Sequence, residues 1–278
     1  MRAIKWLVLL RCCFTEASKL LRAGKDDQIR RCCMTTLSTM LAGVHFPSCL
    51  MNASGAWSGT HEELHALAAS ATGAVVIKTT TTQARVGDVQ GCGIENPGQP
   101  YYLALLPELT PAGKPIIGSV AGFTPAEYVE LAQAYAGAGV QIVELNLSDP
   151  IIPCNRGGSC DFTAVESVLL AVRGAVQVPL AVKLPLLPDG TVQAAAELLT
   201  RHRIEIVVCH TPQLSAFAPV LGTVLDIIAV GGVSTGKDTQ AALSHGAKAV
   251  QIGSALMKEG PAVFSRLQQE LLAAQTPQ

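Results

Sequence analysis

The chain has 278 residues, of which 49% are apolar and 15% charged, with a net charge of −1. No basic stripe with interleaved aromatics is present, which argues against a nucleic-acid partner, and the apolar runs fall well short of the roughly 20 residues of a membrane span. The nine cysteines lack the C-x₂-C spacing of a zinc site: Cys12-Cys13 and Cys32-Cys33 are adjacent pairs, and Cys49, Cys92, Cys154, Cys160 and Cys209 are scattered. We read them as reduced thiols of a cytoplasmic protein and expect no bound metal.

Residues 1–33 differ in character from the rest, with eight Lys or Arg against three acids. Their apolar stretch Trp6-Leu7-Val8-Leu9-Leu10 is shorter than the about 7–15 residues of a secretory core. They are expected to be an N-terminal extension, disordered or a non-native start, preceding a functional unit that starts at Met34, with a membrane-surface helix as the other reading.

From Met34 onward, short Val/Ile/Leu runs alternate with helical patterns. Strands buried on both faces are expected at 49–54, 74–78, 115–120, 141–147, 179–184, 204–210, 226–232 and 249–254. Helices are expected at 61–70, behind the capping box Thr60-x-x-Glu63, and at 125–138, where Pro125 follows Thr124. Others fall at 161–173, 190–202, 236–245 and 260–274. Eight βα units without an alternating edge strand predict one closed (β/α)₈ TIM barrel, α/β in class, over residues 34–278.

Such barrels carry their chemistry at the C-terminal ends of the strands. Here those ends hold Asn52 and Ser54, then Lys78 with Thr79 and Thr80, Ser119, Asn146 with Ser148, and Lys183. An ammonium closing a buried strand needs a partner. A structural ion pair to Glu144 or another strand acid is one candidate, and an anionic ligand is the other. The turns Gly231-Gly232-Val233-Ser234-Thr235-Gly236 and Gly253-Ser254-Ala255 present backbone N–H groups suited to a phosphate. Cys209 and His210 are neighbours on one strand and point to opposite faces, so they cannot act as a Cys–His pair.

Eight segments in order carry a family resemblance: MNASG at 51–55, VIKTTT at 76–81, GIENPGQPYY at 93–102, SVAG at 119–122, ELNLSDP at 144–150, AVKLP at 181–185, AVGGVSTGKD at 229–238 and AVQIGSALMKEGPAVFSRL at 249–267. Together they resemble the dihydroorotate dehydrogenases, and the MNASG form is similar to the soluble class 1A branch. The resemblance implies bound flavin mononucleotide (FMN), lined by Ser54, Lys78, Thr79, Asn146 and Lys183, with its phosphate on Gly231, Gly232, Gly253 and Ser254. It also implies that dihydroorotate is read by Lys78, Asn96 and Asn146, that fumarate accepts the electrons, and that the chain forms a homodimer in the cytoplasm.

The catalytic base of the family is a Cys or Ser immediately before the motif proline, and here that position is Asp149. A carboxylate is ionised without help but is a weaker proton acceptor unless burial raises its pKa; the other reading of Asp149 is a loop cap. Ile151 and Gln90 replace substrate-reading asparagines, Gly93-Ile94-Glu95-Asn96 replaces a GLPN-like turn, and Cys209-His210-Thr211-Pro212 replaces an Asn-Ser pair. The stretch between Lys183 and Gly231 is shorter than the family's. Three readings therefore stand beside dihydroorotate oxidation. One is an FMN oxidoreductase for another small cyclic substrate, the second a flavin-binding homologue without turnover, and the third a flavin-free phosphate-sugar barrel.

Overall fold

The computed structural model describes residues 37–55, 57–86, 94–158, 160–188, 190–221 and 224–275. The proposed extension at 1–33, with Gln90, Cys92 and Gly93, lies outside the described residues.

An antiparallel hairpin comes first, strands β1 (Thr39–Leu41) and β2 (Val44–Phe46). The eight parallel strands are β3 (Leu50–Asn52), β4 (Val75–Val76), β5 (Ile116–Val120), β6 (Ile142–Asn146), β7 (Leu180–Lys183), β8 (Ile206–His210), β9 (Asp226–Val230) and β10 (Ala249–Ile252). Each falls inside its expected segment. They pair in the order β3-β10-β9-β8-β7-β6-β5-β4, which brings the last strand beside the first and makes a nearly closed barrel.

The helices between them include α1 (His61–Ala69), α2 (Gln99–Leu109), α3 (Pro125–Gly137), α4 (Phe162–Ala175) and α5 (Val192–Arg201). Helices α6 (Leu214–Leu221), α7 (Gly236–Ser244), α8 (Ser254–Glu259) and α9 (Ala262–Gln275) complete the set. The Thr60–Glu63 capping box is formed at α1, and a second joins Thr235 to Asp238 at α7. Four elements go beyond the sequence expectation: the hairpin, α2, α6 and the short α8. Of these helices, α2 and α6 contain proline inside them, Pro107 and Pro219, which hides them from pattern reading.

The β1–β2 turn is Ala42-Gly43, both at positive φ, the conformation of a tight two-residue hairpin. The Ala42 amide donates to Asp226 Oδ2 at 2.6 Å, tying the turn to the start of β9. Leu41 and Phe46, both fully buried, enter the cluster made by the strand beginnings, with Ala74, Ile142, Ile206 and Ala249. The hairpin thus plugs the end of the barrel opposite the strand C-termini.

Closure between β3 and β4 uses no regular ladder among the described residues. The Gly73 amide donates to the Leu50 carbonyl at 2.7 Å, and the Thr79 amide to the Ser54 carbonyl at 3.0 Å. Between them the Asn52 side chain donates from Nδ2 to the Val76 carbonyl at 2.7 Å and accepts the Val76 amide on Oδ1 at 2.9 Å. Gly73 permits this close approach, since a Cβ there would lie 1.9 Å from the Ser48 carbonyl oxygen.

Candidate active site

The strand C-termini converge as expected, and a buried polar chain crosses the barrel from one lysine to a strand acid. Lys183 Nζ reaches Ser54 Oγ at 3.4 Å, and Thr79 Oγ1 donates to that Oγ at 3.0 Å. Thr79 Oγ1 also lies 3.1 Å from Ser119 Oγ and accepts from Asn146 Nδ2 at 3.0 Å. Ser119 donates to Glu144 Oε1 at 2.8 Å, and Gln251 Nε2 to Glu144 Oε2 at 2.6 Å.

Ser54, Thr79, Ser119, Glu144 and Gln251 are each no more than 2% exposed, so these bonds run without competition from water. Glu144 spends its carboxylate on Ser119 and Gln251, and among the described residues it forms no ion pair with Lys183. Among the described residues the structural ion pair to Glu144 is therefore not made, and the Lys183 ammonium has a long contact to Ser54 at the mouth. Gln251 was not singled out from the sequence. Its signal was a lone amide inside the apolar run Ala249-Val250-Gln251-Ile252, where only a polar partner across the barrel explains it.

Lys78 lies two residues beyond the end of β4, its amide donating to the Ser58 carbonyl at 3.2 Å. Burial lowers its pKa; the charges of Glu95, Asp149 and Glu63 oppose that shift, and Lys183 adds to it. The two lysines and Asp149 therefore share one electrostatic neighbourhood. His210 belongs to it as well: burial and then the Lys183 charge hold its imidazole below the ordinary histidine value. Its ring has no hydrogen-bond partner among the described residues, and its Nδ1 lies 3.5 Å from where a Cβ on Gly231 would sit. Cys209, beside it, is 1% exposed, and burial pushes its thiol up to about 12, leaving no nucleophile there.

Asp149 is 8% exposed. Its Oδ1 accepts the Ile151 amide at 3.1 Å, so the carboxylate is oriented by its own turn while remaining in the field of Lys78. The loop is fastened further by Asn155 Nδ2 on the Ser148 carbonyl at 2.7 Å and by Ser148 Oγ on Asn146 Oδ1 at 2.7 Å. Asn96 is buried and turned onto its own loop. Its Nδ2 donates to Thr81 Oγ1 at 3.0 Å and to the Ile94 carbonyl at 2.7 Å, and its Oδ1 accepts the Gly98 amide at 2.9 Å. Both amide hydrogens are thus committed.

At the opposite side of the mouth, Gly231 and Gly232 adopt positive φ, +86° and +73°, which glycine allows without strain. Asp238 Oδ2 already accepts the Ser234 and Thr235 amides. The turn therefore has its own internal anion at that end, and an external one must meet the backbone at the glycine pair. Gly232 faces open space, and across from it Gly253 caps α8 ahead of the exposed Ser254. The open backbone at Gly232 has the chemistry of an anion-binding edge, and the Lys183 ammonium offers positive charge to a group that gains negative charge.

A parallel eight-stranded barrel with a lysine-bearing polar mouth and a glycine edge is the class defined by these features. The family model for dihydroorotate dehydrogenase matches residues 36–216 and 209–274, so the chain belongs to the dihydroorotate dehydrogenase family. A Streptococcus agalactiae protein named "Putative dihydroorotate dehydrogenase A (fumarate)" is 30% identical over 288 residues, covering 86% of this chain and 93% of that one. A protein of the same name from Streptococcus equi subsp. equi is also 30% identical with the same coverage. In fold, the chain is similar to the crystal structure of the Eimeria tenella enzyme in complex with ferulenol. That likeness has a TM-score of 0.76 at 16% identity and covers 86% of this chain and 84% of the other.

Proposed function

We propose that this chain is an FMN-dependent dehydrogenase that oxidises dihydroorotate to orotate. FMN, when bound, supplies the acceptor for the hydride. Ser54, Lys78, Thr79, Asn146 and Lys183 hold its ring, and Gly231, Gly232, Gly253 and Ser254 its phosphate. Lys183 opposes the negative charge that hydride arrival brings, and the Ser54–Thr79–Asn146 chain keeps that ammonium's neighbourhood in one geometry. Lys78 draws the carboxylate of the substrate. Asp149 takes the proton from one substrate carbon as hydride leaves its neighbour, and the Ile151 amide on Oδ1 keeps the carboxylate aimed. Asn146 contributes its remaining amide hydrogen to the substrate side, whereas Asn96 holds the loop that walls it.

The observation that carries this reading is the placement of a buried carboxylate, Asp149, in the field of Lys78 and beside the Lys183 chain. The names of the streptococcal relatives support fumarate as the electron acceptor, and the resemblance to the soluble class 1A branch supports a cytoplasmic homodimer. A second reading, an FMN oxidoreductase for a different small cyclic substrate, is favoured by Ile151 where an amide would be expected and by the His210 ring at the mouth, which makes no hydrogen bond among the described residues and lies in the field of Lys183.

The test is anaerobic mixing of FMN-loaded protein with dihydroorotate while flavin absorbance is followed. Bleaching supports the first reading. A yellow protein that stays yellow with dihydroorotate but bleaches with another dihydropyrimidine supports the second, and a colourless protein after FMN loading overturns both.

A further inference from the structure

Helix α1 carries His61 and His65 four positions apart, on one face. Glu108, near the end of α2, meets both: its Oε2 lies 3.0 Å from His61 Nε2 and 3.3 Å from His65 Nε2. The imidazole centroids are 4.3 Å apart, and the three candidate ligand atoms all lie within 4.8 Å of one another. A zinc ion 2.0–2.1 Å from its ligands in a tetrahedron sets neighbouring ligand atoms about 3.3 Å apart. The two Glu108 distances already have that spacing.

The scaffold behind these side chains is held by other bonds. The His61 amide donates to Tyr101 Oη at 2.9 Å, and Tyr102 Oη donates to the Gly59 carbonyl at 3.1 Å, so the start of α1 is pinned to α2 without the ligands. Glu63 Oε2 caps the same end by accepting the Gly59 and Thr60 amides. All three ligand side chains are about half exposed, at 44%, 41% and 53%, which leaves room for entry and for a water in a fourth position.

We propose that His61, His65 and Glu108 form a binding site for a divalent transition cation of the zinc class. In the metal-free state both Nε2–H groups face the carboxylate. Metal entry moves each imidazole proton to Nδ1 and turns the two Nε2 lone pairs and the carboxylate onto the cation, two neutral nitrogens and one anionic oxygen. The bridge joins the helices on either side of β4, the two-residue strand that borders the barrel seam. The site shares no residue with the strand-end machinery, so its role is to brace that corner of the barrel.

The experiment is equilibrium dialysis of the chelator-stripped full chain against zinc chloride, with metal counted per protein, for the wild type and His61→Gln/His65→Gln. Any zinc held by cysteines is common to both. The wild type should bind one equivalent more and gain thermal stability with zinc that the double variant does not gain. Glu108→Gln should weaken that extra equivalent at least about tenfold, the scale on which even outer-sphere changes act. Equal stoichiometry and equal thermal shifts in wild type and double variant would overturn the proposal, as would full affinity in Glu108→Gln.

Discussion

The side-chain amide of Asn52 stands in for a missing stretch of backbone ladder: it brackets Val76, donating to its carbonyl at 2.7 Å and accepting its amide at 2.9 Å. Among the described residues the two-residue β4 pairs in a ladder with β5 alone, and on its other edge one side chain that offers both a donor and an acceptor bridges the seam to β3.

Removing that amide should cost more than its own contacts. Asn52→Leu orphans a donor and an acceptor in a site with no solvent access. At about 1–3 kcal/mol for each unsatisfied group, the loss should be roughly 2–6 kcal/mol, read from the midpoint of urea denaturation. A loss below about 1 kcal/mol would mean that the seam closes by other means.

Glu144 and Gln251 make a pair whose polarity can be exchanged. Glu144→Gln leaves one amide oxygen where two carboxylate oxygens served Ser119 Oγ and Gln251 Nε2, so one of those bonds loses its acceptor and the barrel interior should be destabilised. Adding Gln251→Glu restores one donor and one acceptor, with Ser119 still donating. A double-mutant cycle should give a coupling of at least about 1 kcal/mol, the range for residues in one buried network. Additive effects would show that the two side chains do not act together.

On the functional side, Lys183→Gln should leave the barrel folded and slow anaerobic flavin reduction by dihydroorotate about 10²–10³-fold, the usual loss for a group that meets developing charge. Asp149→Asn should slow it as strongly while leaving flavin binding intact, since its role lies with the proton. Stopped-flow absorbance and flavin titration separate the two. Loss of flavin from Asp149→Asn would instead assign that residue to the cofactor.

Acid sensitivity should track His210. Its folded pKa is held below the unfolded value of about 6.5. Above that pH both states are neutral and the contribution is fully present. As pH falls, the unfolded chain takes up the proton first, and the contribution is lost down through the lowered folded value. His210→Gln should flatten this part of the stability profile between about pH 6.5 and the acid limb, measured by denaturation at a series of pH values. An unchanged profile would show that the imidazole is no more buried from charge than in the unfolded chain.

All eight barrel strands were legible in the amino-acid sequence, because a parallel strand buried on both faces is predominantly apolar, with single polar exceptions such as Glu144 and Gln251 that pair across the interior. Lys78, Asn146 and Lys183 stood out for the same reason, as polar residues at the ends of such runs, and the glycine turns announced an anion edge. The tertiary structure alone decided which of these groups meet. The order that sets β3 beside β4, the turning of Asn96 into its own loop, the choice of Gln251 rather than a lysine as partner to Glu144, and the approach of Glu108 to two histidines all join residues far apart in the chain. Local pattern records whether a residue is buried and polar; which partner satisfies it depends on packing across the barrel, where hydrogen-bond direction and distances of a few tenths of an ångström select one neighbour over another.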